Sequence, residues 1–440
     1  MIVNRLNAVA ISVIGGSSTL TTVNDVIQEP SIWAVLPFAS LLLAIAILPL
    51  AARHWWERWY PAVSTVAGCA TIGYYAIALG QMMRVVHTAM EYAGFMTLIG
   101  SLYVVSGGIV LNIRGRLTPA KNVALLGAGA LAANVLGTTG ASMLLIRPFL
   151  KGNRARVEPY HIVFFIVLVS NVGGALTPIG DPPLFLGYLR GVPFFWVTAH
   201  LWKYWAITVP ILLAAFFFID RRRAGDKPKV VDEEGRGGIR GWHNLVYLIA
   251  IVGTVFVSEP EGLREVLFVV ISIASFLTTR KEIYAENEFS WDPLKEVAIL
   301  FLGIFATMIP ALDLLERYAG SLGIVSASQF FWATGCLSSV LDNAPTYLSF
   351  LSAVMGLGHE TMEALLRHRS LQMEAISIAS VFFGAMTYIG NGPNFMVKSI
   401  AEHFGVRMPG FGAYVIRYAM PMLLPLLILI WIFFFAGLGT

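Results

Sequence analysis

Long apolar runs alternate with short polar loops, in two sets that flank the one long polar stretch, 220–241. The first set covers 32–50, 62–80, 94–111, 123–150, 160–189 and 194–219; the second covers 244–257, 266–277, 297–312, 330–354, 376–397 and 413–435. An α-helix needs about 20 apolar residues to cross the hydrocarbon of a bilayer. Most runs approach that length, and 266–277 falls below the roughly 17 residues at which spans usually begin.

Four runs carry breakers where a helix should continue. Run 123–150 is interrupted at Leu136-Gly137-Thr138-Thr139-Gly140, and run 330–354 at Leu341-Asp342-Asn343-Ala344-Pro345-Thr346. Each predicts a kinked span or two short helices that turn back half-way, a re-entrant hairpin. Run 160–189 breaks at Thr177-Pro178-Ile179-Gly180-Asp181-Pro182-Pro183, and run 376–397 at Thr387-Tyr388-Ile389-Gly390-Asn391-Gly392-Pro393-Asn394. Glycine and proline leave helical hydrogen bonds unmade, so such breaks survive in an apolar phase only where protein or water satisfies the backbone. A single break often does no more than kink a helix for packing.

These breaks come in pairs. Val135-Leu136 recurs as Val340-Leu341, which sets Gly137 opposite Asp342 and Gly140 opposite Pro345. Thr177, Ile179, Gly180 and Pro183 recur as Thr387, Ile389, Gly390 and Pro393, with Asp181 opposite Asn391. Two matches in the same order, at nearly one separation, indicate a duplicated unit. Residues 1–219 form the first repeat, 220–241 a linker and 242–440 the second repeat. If the fourth run of each set is a hairpin that returns to its own side, each repeat crosses five times, and an odd number inverts the second. The expected fold class is an all-α integral membrane protein, an inverted repeat of two five-helix units, each with a re-entrant hairpin and a broken helix.

Charge supports this topology. It puts most of the 30 Lys and Arg on the linker side and leaves Arg5, Arg84, Arg190, Lys203, Arg264, Arg317, Arg367 and Arg369 on the other. The positive-inside rule then places the linker in the cytoplasm and both termini outside a plasma (inner) membrane. The composition is 57% hydrophobic and 13% charged, whereas soluble chains carry about 25% charged residues. The net charge of +4 sits in loops between spans and does not form a nucleic-acid-binding face. Cys69 and Cys336 both lie in apolar runs, which argues against a disulfide framework or a Cys-type zinc site. The first 31 residues lack the basic start and small-residue cleavage site of a signal peptide.

The breaks are where chemistry concentrates. A broken helix presents unpaired carbonyls at one end and N–H groups at the other, which can replace an ion's hydration shell without a full protein charge. The hydroxyls, amides and backbone oxygens of Thr138, Thr139, Thr177, Gly180, Asn343, Thr346, Thr387, Asn391 and Asn394 suit a small hard cation such as sodium. Asp181 and Asp342 sharpen the case, because a carboxylate inside an apolar span costs about 3 kcal/mol on insertion scales. Burial favours the protonated carboxyl and a bound cation the ionised one. Protons and sodium would therefore compete for the same oxygens, the minimum chemistry of an antiporter. The plainer role for each Asp is to cap a half-helix N-terminus, a form that Asp342 before Asn343-Ala344-Pro345 fits well. No Arg or Lys lies inside the four breaks, and the nearest are Arg147 and Lys398. The expected cargo is Na+ and H+, with sodium on Asp181 and Asp342, and no bound cofactor.

Other motifs carry less. Gly127-Ala128-Gly129-Ala130-Leu131-Ala132 has the letters of a dinucleotide loop, but small residues in an apolar hairpin arm serve close packing. His359-Glu360 lacks the second histidine of a zincin helix, and Arg221-Arg222-Arg223 reads as a stop-transfer anchor. No nucleophile–base pair or metal motif points to an enzyme.

At Gly173-Gly174-Ala175-Leu176-Thr177-Pro178-Ile179-Gly180-Asp181 and Asp342-Asn343-Ala344-Pro345-Thr346 the sequence resembles the ion-transporter superfamily. That group comprises NhaD-type sodium/proton antiporters, arsenite permeases, citrate–metal symporters and dicarboxylate transporters. The resemblance spans nearly the whole chain through the order of its segments. It implies two re-entrant hairpins, two unwound helices, a homodimer and elevator-like alternating access, with cation and substrate at 138–140, 177–181, 342–346 and 387–394. Two departures stand out. The Ser-Asn-Thr signatures of the dicarboxylate branch are absent at both hairpin tips. Pro182-Pro183 follows Gly-Asp where the antiporter branch has hydroxyl residues. A sodium/proton antiporter is the first expectation, and a cation-coupled transporter of citrate or a related organic anion the second.

Overall fold

A computed structural model describes residues 29–113, 115–223, 238–358 and 361–437. The signal-peptide question, Arg5, Arg114, most of the linker and His359-Glu360 lie outside the described residues.

Helices follow the apolar runs in order. α1 (Leu36–Ala51) meets α2 (Arg53–Gly73) across Ala52 alone, and a π turn, Tyr74–Ala78, prolongs α2. α3 (Met82–Gly107) follows. Both α2 and α3 begin well ahead of the expected 62–80 and 94–111. Their first turns carry Arg, His, Glu and Thr, which an apolar window rejects and a helix accepts.

α4 (Pro119–Gly152) is a hairpin. Its chain reverses at Gly137, whose φ of 70° and ψ of 157° leave the helical region where only glycine is comfortable. A methyl group at Gly129 would lie 2.9 Å from Leu145 Cδ1, a pairing that a straight helix would hold far apart. At the open end Asn122 and Asn153 exchange amide hydrogen bonds of 2.9 and 2.8 Å. Next come α5 (Pro159–Leu168), a 3-10 turn (Val172–Leu176), the loop to Asp181, α6 (Pro182–Leu189) and α7 (Phe194–Arg223).

The second set repeats this order. α8 (Asn244–Thr254), α9 (Leu263–Thr278), a short α10 (Lys281–Glu286) and α11 (Asp292–Tyr318) lead to a second hairpin, α12 (Ala327–Val340) and α13 (Asn343–Gly356). The Phe330 and Phe350 rings, one on each arm, meet edge-on at 6.3 Å. A short α14 (Met362–His368) leads to α15 (Ser370–Phe383), a 3-10 turn (Gly384–Met386), a loop and α16 (Gly392–His403). α17 (Phe411–Tyr414), a π turn (Val415–Ala419) and α18 (Met420–Phe434) close the described chain.

Among the described residues, eight helical segments are long and apolar enough to span a membrane. At about 1.5 Å per residue, α8 and α9, with 11 and 16 residues, are shorter than the ~30 Å hydrocarbon layer. The fold is all-α, with one short pair of strands among the described residues: β1 (Val110–Asn112) pairs antiparallel with β2 (Gly238–Arg240), Val110 facing Arg240 and Asn112 facing Gly238. Strands of three residues leave no periodic trace in a sequence.

Packing exchanges partners between the two sets. α2 lies on α11, and α9 on α3; the α4 hairpin lies on α16, and the α13 arm on α6. At the centre, every residue from Tyr160 to Leu168 in α5 and from Met373 to Phe383 in α15 is buried. The outer surface carries exposed Ile77, Ile249, Leu277 and Phe433, and the free Cys69 and Cys336 face outwards with them. Apolar side chains on the outside and polar ones within suit a chain dissolved in lipid.

Candidate functional site

Both hairpin tips meet both unwound loops. The Thr138 backbone N–H donates to the Gly180 carbonyl at 2.8 Å, and the Asn343 N–H donates to the Gly390 carbonyl at 3.1 Å. These are the same contact at the positions the sequence matched. Each loop turns on glycines at matched positions: a methyl at Gly180 would stand 2.0 Å from the Gly174 carbonyl oxygen, and one at Gly390 2.6 Å from that of Gly384. Thr177 and Thr387 hold the loops closed, their hydroxyl oxygens accepting the N–H of Gly180 and Gly390 at 3.1 Å each.

Asp181 sits where the four pieces converge, with 0% of its surface exposed. Its Oδ1 accepts from the Thr138 hydroxyl at 2.7 Å and from the Asn391 amide at 2.9 Å. Its Oδ2 accepts from the Asn343 amide at 2.7 Å. Asp181 occupies the N-cap position of α6, yet its side chain makes no cap bond there. All three donors are neutral. Hydrogen bonds to an ionised group are worth about 1.5–3 kcal/mol each, but none of these supplies a compensating charge.

Asp342 has a different role. Its carboxylate caps α13, Oδ1 accepting the Ala344 N–H at 3.0 Å, as its sequence context suggested. It is half-buried and lines an open cleft of about 590 Å³ with Thr139, Pro182, Asn391 and the apolar side chains Phe95, Ile99, Val297, Phe301 and Met396. Among the described residues, no Lys, Arg or His lines that cleft. The Asn343 Oδ1 atom is buried with no hydrogen-bond partner among the described residues. It is an oxygen left over in a dry place, next to a carboxylate.

The remaining expected residues stand one shell further out. The Thr346 hydroxyl donates to the Asp342 carbonyl at 2.9 Å. Asn394 donates to the carbonyls of Gly384 and Thr387, and accepts from Asn171 at 2.7 Å. Asn171 is a residue the sequence reading missed, and its Oδ1 in turn accepts from Asn391 at 3.2 Å. Asn134 was missed as well: it accepts the Leu176 N–H at 2.8 Å and donates to the Gly173 carbonyl at 2.7 Å, tying the first hairpin to the first loop. A lone Asn inside a run as apolar as 160–189 or 123–150 was the available signal. Asp313 stands apart, paired with Arg84 at 2.7 Å and bonded by the Tyr75 hydroxyl at 2.8 Å. Among the described residues, no group of three or more His, Cys, Asp or Glu could hold a metal ion.

Residues 27–435 match the model of a family described as "Putative citrate transport". The chain belongs to that family. Uncharacterized transporters from Mycobacterium bovis and Mycobacterium tuberculosis are each 26% identical to it over 318 residues, covering 66% of this chain and 72% of theirs. With its apolar helices, this family membership makes the chain a multi-pass membrane transporter, and the cluster around Asp181 is the candidate site of transport.

Proposed function

We propose that the protein is a secondary active transporter that exchanges a small hard cation, sodium first, for protons. Asp181 is the group for which the two compete, and Asp342 is a second carboxylate facing the cleft. The reading is carried by Asp181, a fully buried carboxylate held by three neutral donors. A buried charge without a counterion is tolerable only when a proton or a cation neutralises it. Such a seat favours one occupant or the other, and that is what exchange requires. The unpartnered Asn343 Oδ1 and the cleft-lining Thr139 offer neutral oxygens of the kind sodium accepts.

In this reading 1–219 and 242–440 are inverted repeats whose broken helices meet near mid-membrane. The transporter sits in the plasma membrane as a homodimer, with the linker cytoplasmic and both termini outside.

A second reading, cation-coupled transport of citrate or a related organic anion, is favoured by the family description. Because no basic residue among the described ones lines the cleft, a polycarboxylate would have to enter together with cations.

Reconstitution into liposomes that hold a pH-reporting dye separates the two. Proton movement driven by sodium or lithium alone, absent with potassium and indifferent to citrate, supports exchange. Radiolabelled citrate uptake that depends on a cation supports the second reading. If both Asp181→Asn and Asp342→Asn moved protons as the wild type does, the role given to these carboxylates would be lost.

A further inference from the structure

The cleft extends from the site towards the linker and is stopped in the other direction. Phe95, Ile99 and Tyr103 of α3 line it at spacings of four, so one face of that helix looks onto the site. Tyr103 lies about one turn before the end of α3, and the strand that follows, β1, pairs with β2 at the end of the linker. At the opposite end the Phe95 ring stacks on that of Phe301, with centroids 4.8 Å apart. One turn beyond Phe95, on the same face of α3, comes Glu91.

Glu91 is held there by a piece of the site. Arg190, the C-cap of α6, donates from Nη2 to Glu91 Oε2 at 2.9 Å and places its Nε 2.6 Å from Oε1. The two side chains are 11% and 19% exposed. α6 has eight residues and carries Asp181 at its other end, so a rigid rod of about 12 Å joins the ion pair to the carboxylate seat. A second pair packs beside the first. Arg264 Nη2 donates to Glu265 Oε1 at 2.7 Å, and a methyl at Gly94, one turn of α3 from Glu91, would lie 3.2 Å from that oxygen and 3.5 Å from Leu189. The Tyr188 hydroxyl of α6 also donates to the Val255 carbonyl at 2.8 Å, beyond the end of α8. The tie on the linker side is looser: Arg147 of the first hairpin meets Glu288 at 3.2 Å, and Glu288 is 76% exposed.

We propose that the Glu91–Arg190 pair is a latch that keeps the site closed on the face away from the linker, with Glu91 and Arg190 as positioning residues that govern access. The site and its α3 wall can part on that face only when the two charges leave one another and regain water. While the face is closed the charges compensate each other out of solvent; once it opens each is hydrated alone. Loss of one partner leaves the other uncompensated in the closed arrangement alone, which moves the population towards the open one. Interfaces that exchange ion pairs between two packings are a common form of such switches. The latch serves either cargo, because the donors to Asp181 are other residues.

Cysteine accessibility in the full-length protein tests this. Cys69→Ala and Cys336→Ala remove the native thiols, Ile99→Cys puts one in the cleft, and a membrane-impermeant maleimide is applied to vesicles of each orientation. With the pair intact, labelling is expected from the linker face. Glu91→Gln should raise labelling from the opposite face about fivefold or more, the lower range of coupling between linked sites. Exchanging the charges, Glu91→Arg with Arg190→Glu, should bring it back towards the intact level, which a mere packing contact would not do. The latch is overturned if Glu91→Gln leaves labelling from the opposite face unchanged, if the exchanged pair labels like Glu91→Gln, or if the intact protein labels equally from both faces. Should Glu91→Gln not reach the membrane, Arg190→Lys, which keeps the charge and loses the planar fork, is held to the same rise. None of these readings needs an ion to be carried, so a failure of the exchange reading would leave them standing.

Discussion

Asp181 and Asp342 each stand at the N-cap of a short helix after a break, yet neighbouring atoms give them different work. Asp342 spends one oxygen on the Ala344 N–H, whereas Asp181 makes no cap bond and takes all its donors from other elements. Asn caps a helix about as well as Asp, while Ala loses roughly 1 kcal/mol. Asp342→Asn should therefore keep the thermal stability of the wild type and change only sodium affinity, whereas Asp342→Ala should lower both. Thermal unfolding in detergent, with and without sodium, checks each half of that statement. A methyl at Gly180 has no room beside the Gly174 carbonyl, so Gly180→Ala should cost about 1–3 kcal/mol or more through overpacking, seen as a lower Tm and lost transport. Sequence alone could point to the two carboxylates, because charged residues stand out in apolar runs. It could not separate cap from seat, since that difference lies in which distant amides arrive.

At the scale of elements, the breaks were legible because Gly, Pro, Asp and Asn interrupt long apolar stretches. The chain reverses at Gly137 and again between α12 and α13, both at such breakers. The early starts of α2 and α3 were hidden by their polar first turns, whereas Asn171 and Asn134 were legible as lone amides in apolar runs. One supporting network had no sequence signal. Asp220, at the end of α7, is fully buried and binds Arg156 at 2.5 Å, the Tyr160 hydroxyl at 2.9 Å and the Asn122 amide at 3.0 Å, so it fastens the base of the first hairpin to α7. Removing one partner of a buried pair costs about 3–5 kcal/mol, because the other is left uncompensated. Asp220→Ala should lower Tm steeply, and Asp220→Ala with Arg156→Ala less so. Equal losses in single and double variants would show that the pair does not stabilise the hairpin base.

For the whole molecule, the order of elements and the membrane class could be read from hydropathy, while the cargo could not. A seat of neutral oxygens and one carboxylate serves a bare cation or a cation that escorts an anion, and family membership points towards the second cargo class where the residues point to the first. Competition fixes the sign of the pH response. If a proton on Asp181 excludes sodium, raising the pH removes the competitor, and the KM for sodium should fall by up to about tenfold per pH unit while one proton is displaced. A KM indifferent to pH would mean that the two ions do not share a site.

Calorimetry of sodium binding to the purified protein, repeated in two buffers of different protonation enthalpy, counts the protons released for each ion bound. The account predicts that sodium binding releases protons from the wild type and that this release disappears in Asp181→Asn. Sodium that binds the wild type without displacing protons, or an Asp181→Asn protein that still releases them, would contradict it.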